Sequence, residues 1–396
     1  MIVFSGRMRT PSNAKWVCLV LATGLTQSPA MPPETASANQ PLRVYIGTYT
    51  GVRSRGIYAA RFDTTTGRLS SPELAAETKN PTFLALSPDH RHLYSVGEID
   101  NHRGLRAGAV AAFKIEADGK LILLNEQPSG GTGPCHLAVD QTGKWVLVAN
   151  YGSGSVAAIP LEPDGRLGEP GVSIQHHGSS INLKRQTGPH AHFITTDPAS
   201  RFALACDLGL DRVLVYRLSP ERELMASNNP PTVAVQPGSG PRHLAWHPNG
   251  RFIYLINELA CTLNFFTYDQ TSGKLTERQA ISTLPEDFKG ENTCAEVQVH
   301  PSGRFVYASN RGHDSLAVFA VDPKTGRLAF VERQSSQGKT PRHFTLDASG
   351  RWLIAENQDS NNVVVFRVEP DTGRLVPTGQ SVEVGAPVCA VLLNGS

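Results

Sequence analysis

Apolar positions along this chain alternate with a period of two and are grouped in short runs. Seven strand-like segments, VYIGTYT, LYSVGEI, VLVANYG, ALACDLG, IYLINEL, VYASNRG and LIAENQD, begin at residues 44, 93, 146, 203, 253, 306 and 353. Each is followed by a second β-rich run, such as SVAAIPL, RVLVYRL or NVVVFRV. Most copies then close on Gly-Arg-Leu or Gly-Lys-Leu, ending at Leu69, Leu121, Leu167, Leu275, Leu328 and Leu375. Six copies are preceded by a Pro- or Cys-led run with its own turn: PTFLALSPDHR, PCHLAVDQTGK, PHAHFITTDPASR, PRHLAWHPNGR, CAEVQVHPSGR and PRHFTLDASGR. The alternation excludes a helical solenoid. Four short strands per unit, repeated about every fifty residues, predict propeller blades.

The copy that starts at Val44 lacks a leading run, and the chain ends in one, Pro387 to Leu393, with nothing after it. The two fragments complete each other. A propeller must pair its first and last blades or leave open sheet edges. The expected fold is therefore all-β: a seven-bladed β-propeller with four antiparallel strands per blade, closed by the C-terminal strand joining the N-terminal blade. Residues 39–396 form this domain, expected as a monomer.

In such a blade the leading strand lines the channel, and its start lies beside the end of the second strand, so these ends meet at one channel mouth. The leading-strand starts bring Phe83, Cys135-His136, His190, His192, Arg242-His243, Ala295-Glu296 and Arg342-His343. The second-strand ends bring Tyr49, Glu98, Asn150-Tyr151, Asp207, Asn257-Glu258, Asn310-Arg311 and Glu356-Asn357-Gln358. A mouth rich in His, Arg and carboxylate is where a small-molecule site is expected. Two long connections, 173–193 and 283–297, lead to the same mouth as rims. They could carry Lys184, Arg185 or Lys289 over a bound anion. At repeat positions, His136 and His243 are expected to bond neighbouring backbone, and Glu98, Asp207 and Glu356 to bond strand ends.

Charge narrows the partners: 37 Lys and Arg against 35 Asp and Glu leave no basic field for nucleic acid or an anionic membrane. No HExxH, Cys-pair or EF-hand spacing calls for a metal, and no Walker-type loop or Gly-x-Ser-x-Gly elbow calls for nucleotide or acyl-serine chemistry. No cofactor is expected. Arg7, Arg9 and Lys15 precede an apolar run, Trp16 to Leu25, too short to span a bilayer, and Ala36-Ser37-Ala38 follows a Pro- and Ser-rich stretch. Residues 1–38 therefore read as an export signal, giving a periplasmic or secreted protein with no membrane span in the mature chain. The alternative is a cytoplasmic protein with an uncleaved leader. Cys135, Cys206, Cys261, Cys294 and Cys389 are scattered and expected as buried free thiols.

Beyond the blade pattern, STLPEDFKGENTCAEV and SNRGHDSLAVF, with YIGTYT, GPRHLAWHP and ENQDSNNVVVFRV, resemble the seven-bladed propeller lactonases. That family includes the propeller-type 6-phosphogluconolactonases and the carboxy-cis,cis-muconate cyclases. The resemblance implies a small-molecule lactone substrate and a hydrolase, with 6-phospho-D-glucono-1,5-lactone as the best candidate. A muconate-type lactonising cyclase and a non-catalytic binding propeller are the alternatives. Carried over motif by motif, it implies His192, Arg242, Glu258 and Arg311 as catalytic residues. Glu258 or His192 would be the proton-transfer group and the arginines would clamp the carbonyl or acid groups. A phosphate would need a further cation, from Arg342 with His343 or from Lys184 and Arg185, and His190 lies beside the site. One departure is His343, where many family members carry Asp or Asn after the Arg.

Overall fold

The computed structural model describes residues 41–219 and 224–393. The expected leader lies outside the described residues. What they form is the seven-bladed propeller expected from the repeat. Six sheets have four strands each, and a seventh has five. In the first blade, Pro387–Leu393 is the innermost strand and pairs antiparallel with Leu42–Thr48. This is the closure that the split repeat demands. Among the described residues no helix is long and apolar enough to cross a membrane.

Polarity changes outward along each blade. The second strands, such as Phe202–Asp207, Phe252–Asn257 and Trp352–Asn357, are buried at every position because a neighbouring blade covers each face. This is why they read as continuous apolar runs. The outermost strands, such as Leu375–Glu383, alternate between covered and open positions and carry the polar residues. Seven apolar clusters fill the seven gaps between blades, each built from two neighbouring sheets. One of them joins Val44, Ile46 and Phe62 of the first blade to Trp352, Ile354 and Val365 of the last. The ring is thus sealed by the same apolar packing that joins its interior blades.

A second device ties blades together. Tyr45, Tyr94, Tyr254 and Tyr307 stand at the same second-strand position, and each hydroxyl donates to the glycine carbonyl of the next blade's Gly-Arg-Leu or Gly-Lys-Leu turn. The acceptors are Gly119, Gly165, Gly326 and Gly373, at 2.8 to 3.1 Å. The turn joining leading and second strands needs a left-handed residue. Gly250 supplies it in the fifth blade at φ 66°, while His90 and Ser200 accept it in the second and fourth.

The feature that shapes the channel mouth most is a bulge near the start of the leading strands. In the fifth blade Pro241 faces Asn257 and His243 faces Ile256, so Arg242 is the extra residue. The same irregularity isolates Cys135, His192 and Arg342 in the third, fourth and seventh blades. In the sixth it spans Ala295 and Glu296. A bulge re-aims one side chain without moving the strand. In the fifth and seventh blades it sends the bulged arginine to the mouth and the following histidine, His243 or His343, into the channel.

The tyrosine latch predicts that Tyr254→Phe, which leaves the Gly326 carbonyl without its donor, costs about 1 kcal/mol and lowers the melting temperature by roughly 1–4 °C. Calorimetry would detect the drop, and an unchanged melting temperature would show that the latch contributes nothing.

Candidate active site

Glu258 closes the second strand of the fifth blade and is buried, only 5% exposed. Three guanidiniums surround its carboxylate. Arg242 Nε donates to Oε2 at 3.0 Å, Arg311 Nη2 lies 3.0 Å from the same oxygen, and Arg185 Nη2 donates to Oε1 at 2.7 Å. Burial alone would raise the pKa of Glu258 above the usual carboxylate value. Arg311 and Arg242, with His192 and Arg185, outweigh it and hold the carboxyl well below the usual range. Glu258 is therefore ionised at any working pH. Arg242 is 2% exposed; burial first, then Arg311 and Arg342, push it down to about 10, which leaves it charged at neutrality.

Each arginine is also held by backbone. Arg242 Nη1 donates to the Ala295 carbonyl at 2.7 Å and Arg311 Nη2 to the Cys294 carbonyl at 2.9 Å. The Cys294 N–H in turn donates to the Glu258 carbonyl. Blades five and six are thereby locked at the mouth. Arg185 comes from the long 173–193 connection, which is pinned at four points. His176 bonds Asp207 at 2.6 Å and Tyr216 at 2.8 Å; Ser180 donates to Asp211 at 2.5 Å; Gln186 donates to the Leu208 carbonyl at 2.8 Å. This is why Arg185, and not its exposed neighbour Lys184, reaches the carboxylate. Lys289, on the other long connection, is also exposed.

His192 stands beside this cluster. Its ring packs edge-on against Tyr151, with centroids 5.5 Å apart, and against His243 at 5.2 Å. Nδ1 is buried without a partner. Burial, reinforced by Arg242, pulls its proton affinity well below that of a free imidazole, so it is neutral at pH 7. Tyr151 joins the cluster as well, since Arg185 Nη2 donates to its hydroxyl at 3.0 Å. His190 stacks on the same ring at 4.5 Å and bonds the Tyr151 carbonyl through Nδ1 at 2.9 Å. His190 thus braces Tyr151.

Across the mouth lies a separate group. Arg342 Nη2 donates to the Tyr49 hydroxyl at 3.2 Å, and that hydroxyl donates to the Glu98 carboxylate at 2.8 Å. Thr82 also donates to Glu98, at 2.6 Å. Burial opposes the charge on Arg342, but Tyr49, Glu98 and Glu258 outweigh it and strengthen its hold on the proton. Its direct partner is a phenol rather than a carboxylate, so its positive charge is not neutralised at first contact.

His343 and His243 do not line this group. His343 is turned into the axis, where Nδ1 lies 2.8 Å from Glu356. His243 Nδ1 lies 2.8 Å from Glu296, so it bonds a side chain rather than the backbone expected of it. His136 does meet backbone, its Nδ1 accepting from the Ile194 N–H at 3.4 Å. Asp207 likewise accepts from backbone, at His190 and Gly209. The five cysteines among the described residues are buried free thiols, as expected. Among the described residues no group of three or more His, Cys, Asp or Glu converges in metal-ligand geometry. A cavity of about 570 Å³ between blades two and three, lined by Tyr94, Trp145 and Leu161, lies elsewhere. The convergent charges are at the mouth instead.

The family model for the seven-bladed β-propeller lactonases matches residues 43–392. A 6-phosphogluconolactonase of Bacillus subtilis is 40% identical over 304 residues, which is 76% of this chain and 84% of the relative. Among solved structures, a periplasmic gluconolactonase of Pseudomonas aeruginosa aligns with a TM-score of 0.85 at 34% identity, over 90% of this chain and 100% of that one. A Lactobacillus plantarum protein aligns with a TM-score of 0.83 at 33% identity, over 90% and 100% of the two chains.

Because Arg185 is the link between the 173–193 connection and the buried carboxylate, Arg185→Ala should loosen the segment around it. Hydrogen exchange followed by mass spectrometry is expected to show faster exchange in peptides covering 177–190. Unchanged exchange there would mean that the other anchors suffice.

Proposed function

The chain belongs to the seven-bladed β-propeller lactonase family, and from that premise we propose that its channel mouth hydrolyses an aldonolactone, 6-phospho-D-glucono-1,5-lactone first among candidates. The observation that carries this reading is the carboxylate shared by three guanidiniums beside a neutral imidazole. Opening a lactone needs a base for the attacking water, a cation for the tetrahedral oxyanion and an acid for the departing alkoxide.

His192 is the proton-transfer group in this reading. A neutral imidazole can take a proton from water and return it to the ring oxygen as the C–O bond breaks. Glu258 cannot do so at working pH, because its lone pairs are engaged by guanidiniums and its proton affinity is depressed. Its role is electrostatic: it keeps Arg242 and Arg311 close together in spite of their repulsion, and it stabilises the imidazolium that forms on His192. Arg242 and Arg311 present their remaining N–H groups to the carbonyl oxygen, where negative charge develops.

Arg342 is proposed as the contact for the far end of the substrate, with Tyr49 supplying a ring face for the sugar carbons. A phosphate would be the strongest partner for a guanidinium whose charge is not neutralised at first contact. A second reading, an unphosphorylated gluconolactone met outside the cytoplasm, is favoured by the export-signal pattern in residues 1–38 and by the periplasmic relative. His343 and Lys184 are left without a substrate role, and Arg185 acts through Glu258.

A pH-stat assay over a lactone panel tests the assignment. We expect hydrolysis of an aldonolactone, with kcat/KM lowered about 100- to 10,000-fold in His192→Gln and about 100- to 1,000-fold in Arg242→Ala. Glu258→Gln should be comparably impaired. Arg342→Met should weaken the phosphorylated lactone more than the unphosphorylated one. If wild type opened no lactone above background, or His192→Gln matched it, these catalytic roles would be wrong.

A further inference from the structure

Beneath the mouth, along the channel axis, lies a second cluster of ionisable groups that the proposed hydrolysis does not use. Glu296 Oε2 is 2.8 Å from His243 Nδ1 and 3.9 Å from His343 Nε2, and His343 Nδ1 is 2.8 Å from Glu356. All four side chains are less than a tenth exposed. Two nitrogens at the top of this cluster are buried without a partner, Nε2 of His243 and Nδ1 of His192. They belong to adjoining rings, with centroids 5.2 Å apart and planes inclined at 60°.

An ionised carboxylate can only accept hydrogen bonds, so ionised Glu296 requires His243 to carry its proton on Nδ1. The Nε2 of His243 is then a bare lone pair. A neutral His192 beside it has two choices. With its proton on Nε2, a second buried lone pair would stand on Nδ1 in the ring adjoining the first. With its proton on Nδ1, an N–H dipole offsets the His243 lone pair across the 5.2 Å between the ring centres, without a hydrogen bond between them, and Nε2 is left unprotonated. We infer that the Glu296–His243 pair sets the tautomer of His192, and so makes the His192 Nε2 lone pair available to the attacking water. Glu296 and His243 are positioning residues for the hydrolysis, acting through His192. This inference rests on the reading of His192 as the base.

The device is sensitive to pH. Burial raises the Glu296 carboxyl to about 7, although His343 and Arg242 oppose the shift. Glu356 works in the same direction as burial, and Cys389, the group facing it from the first blade, stays a neutral thiol because burial holds its proton. His243 is kept neutral by burial and by Arg242, with His192, His136 and His343 adding to the effect. Below neutrality Glu296 takes up a proton and becomes a donor to His243 Nδ1. The proton of His243 then moves to Nε2, and the complementary tautomer of His192 has its proton on Nε2. The lone pair at the mouth is lost. The sign follows: kcat/KM rises with pH through about 7.

Two measurements test this independently. In wild type, nitrogen-15 shifts of His192, assigned by comparison with His192→Gln, should show the Nδ1-protonated tautomer above about pH 7 and the Nε2-protonated tautomer below it. A His192 protonated on Nε2 throughout would overturn the inference whether or not a lactone is turned over. In the assay, Glu296→Gln should flatten the acidic limb of the kcat/KM profile and lower kcat about 10- to 100-fold, with KM nearly unchanged. Glu296→Asp should restore the limb. An acidic limb that persists unchanged in Glu296→Gln would equally rule the inference out.

Discussion

The mouth of this propeller depends on one buried negative charge. Removing a carboxylate from water costs several kcal/mol, and the cost is met only when the charge is paired with good geometry. Glu258 is paired three times, by residues from three separate parts of the chain: the bulge of the fifth blade, the second-strand end of the sixth, and the connection that crosses from the third blade to the fourth. The converse also holds. Without the carboxylate, Arg242 and Arg311 would face each other in a desolvated pocket. The cluster is therefore a mutual constraint, in which the charge that holds the arginines together is itself kept ionised by them.

Ring closure and strand register make that cluster possible. Seven blades sealed by the C-terminal strand bring every leading-strand start to one rim. The bulge decides which side chain at that start faces up and which faces inward. In the fifth blade it separates Arg242, aimed at Glu258, from His243, aimed at Glu296. The seventh blade repeats the division, with Arg342 meeting Tyr49 while His343 meets Glu356. One backbone irregularity, copied with the repeat, thus builds two layers: an arginine-rich rim and an imidazole–carboxylate axis beneath it.

Much of this was legible from the residues. The seven runs ending in pairs such as Asn257-Glu258 and Asn310-Arg311, and the orphan strand Pro387 to Leu393, identified the blade number, the closure and the candidate mouth. The meeting of Arg242 with Glu258 followed from hairpin geometry. What escaped was set by register and by contacts between blades. Alternation alone does not reveal a bulge, so His243 read as a backbone-bonded strand-start residue and His343 as a substrate contact. Tyr151 and Tyr49 were on the mouth but had no role, because their partners, Arg185 and Arg342, are distant in sequence. Arg185 and Lys184 were indistinguishable until the anchors at His176, Ser180 and Gln186 fixed the path of the loop. The signal for Tyr151 was there: it occupies the same post-Asn position as Glu258 and Arg311.

If the shared carboxylate and its arginines define where a lactone is opened, the product must be held there too. The decisive measurement is a crystal structure with a bound aldonate, the product of the proposed reaction. Its carboxylate is expected at the mouth, hydrogen-bonded to Arg242 or Arg311 and within reach of His192. Density for the aldonate only elsewhere, as in the cavity between blades two and three, would contradict that placement of the chemistry.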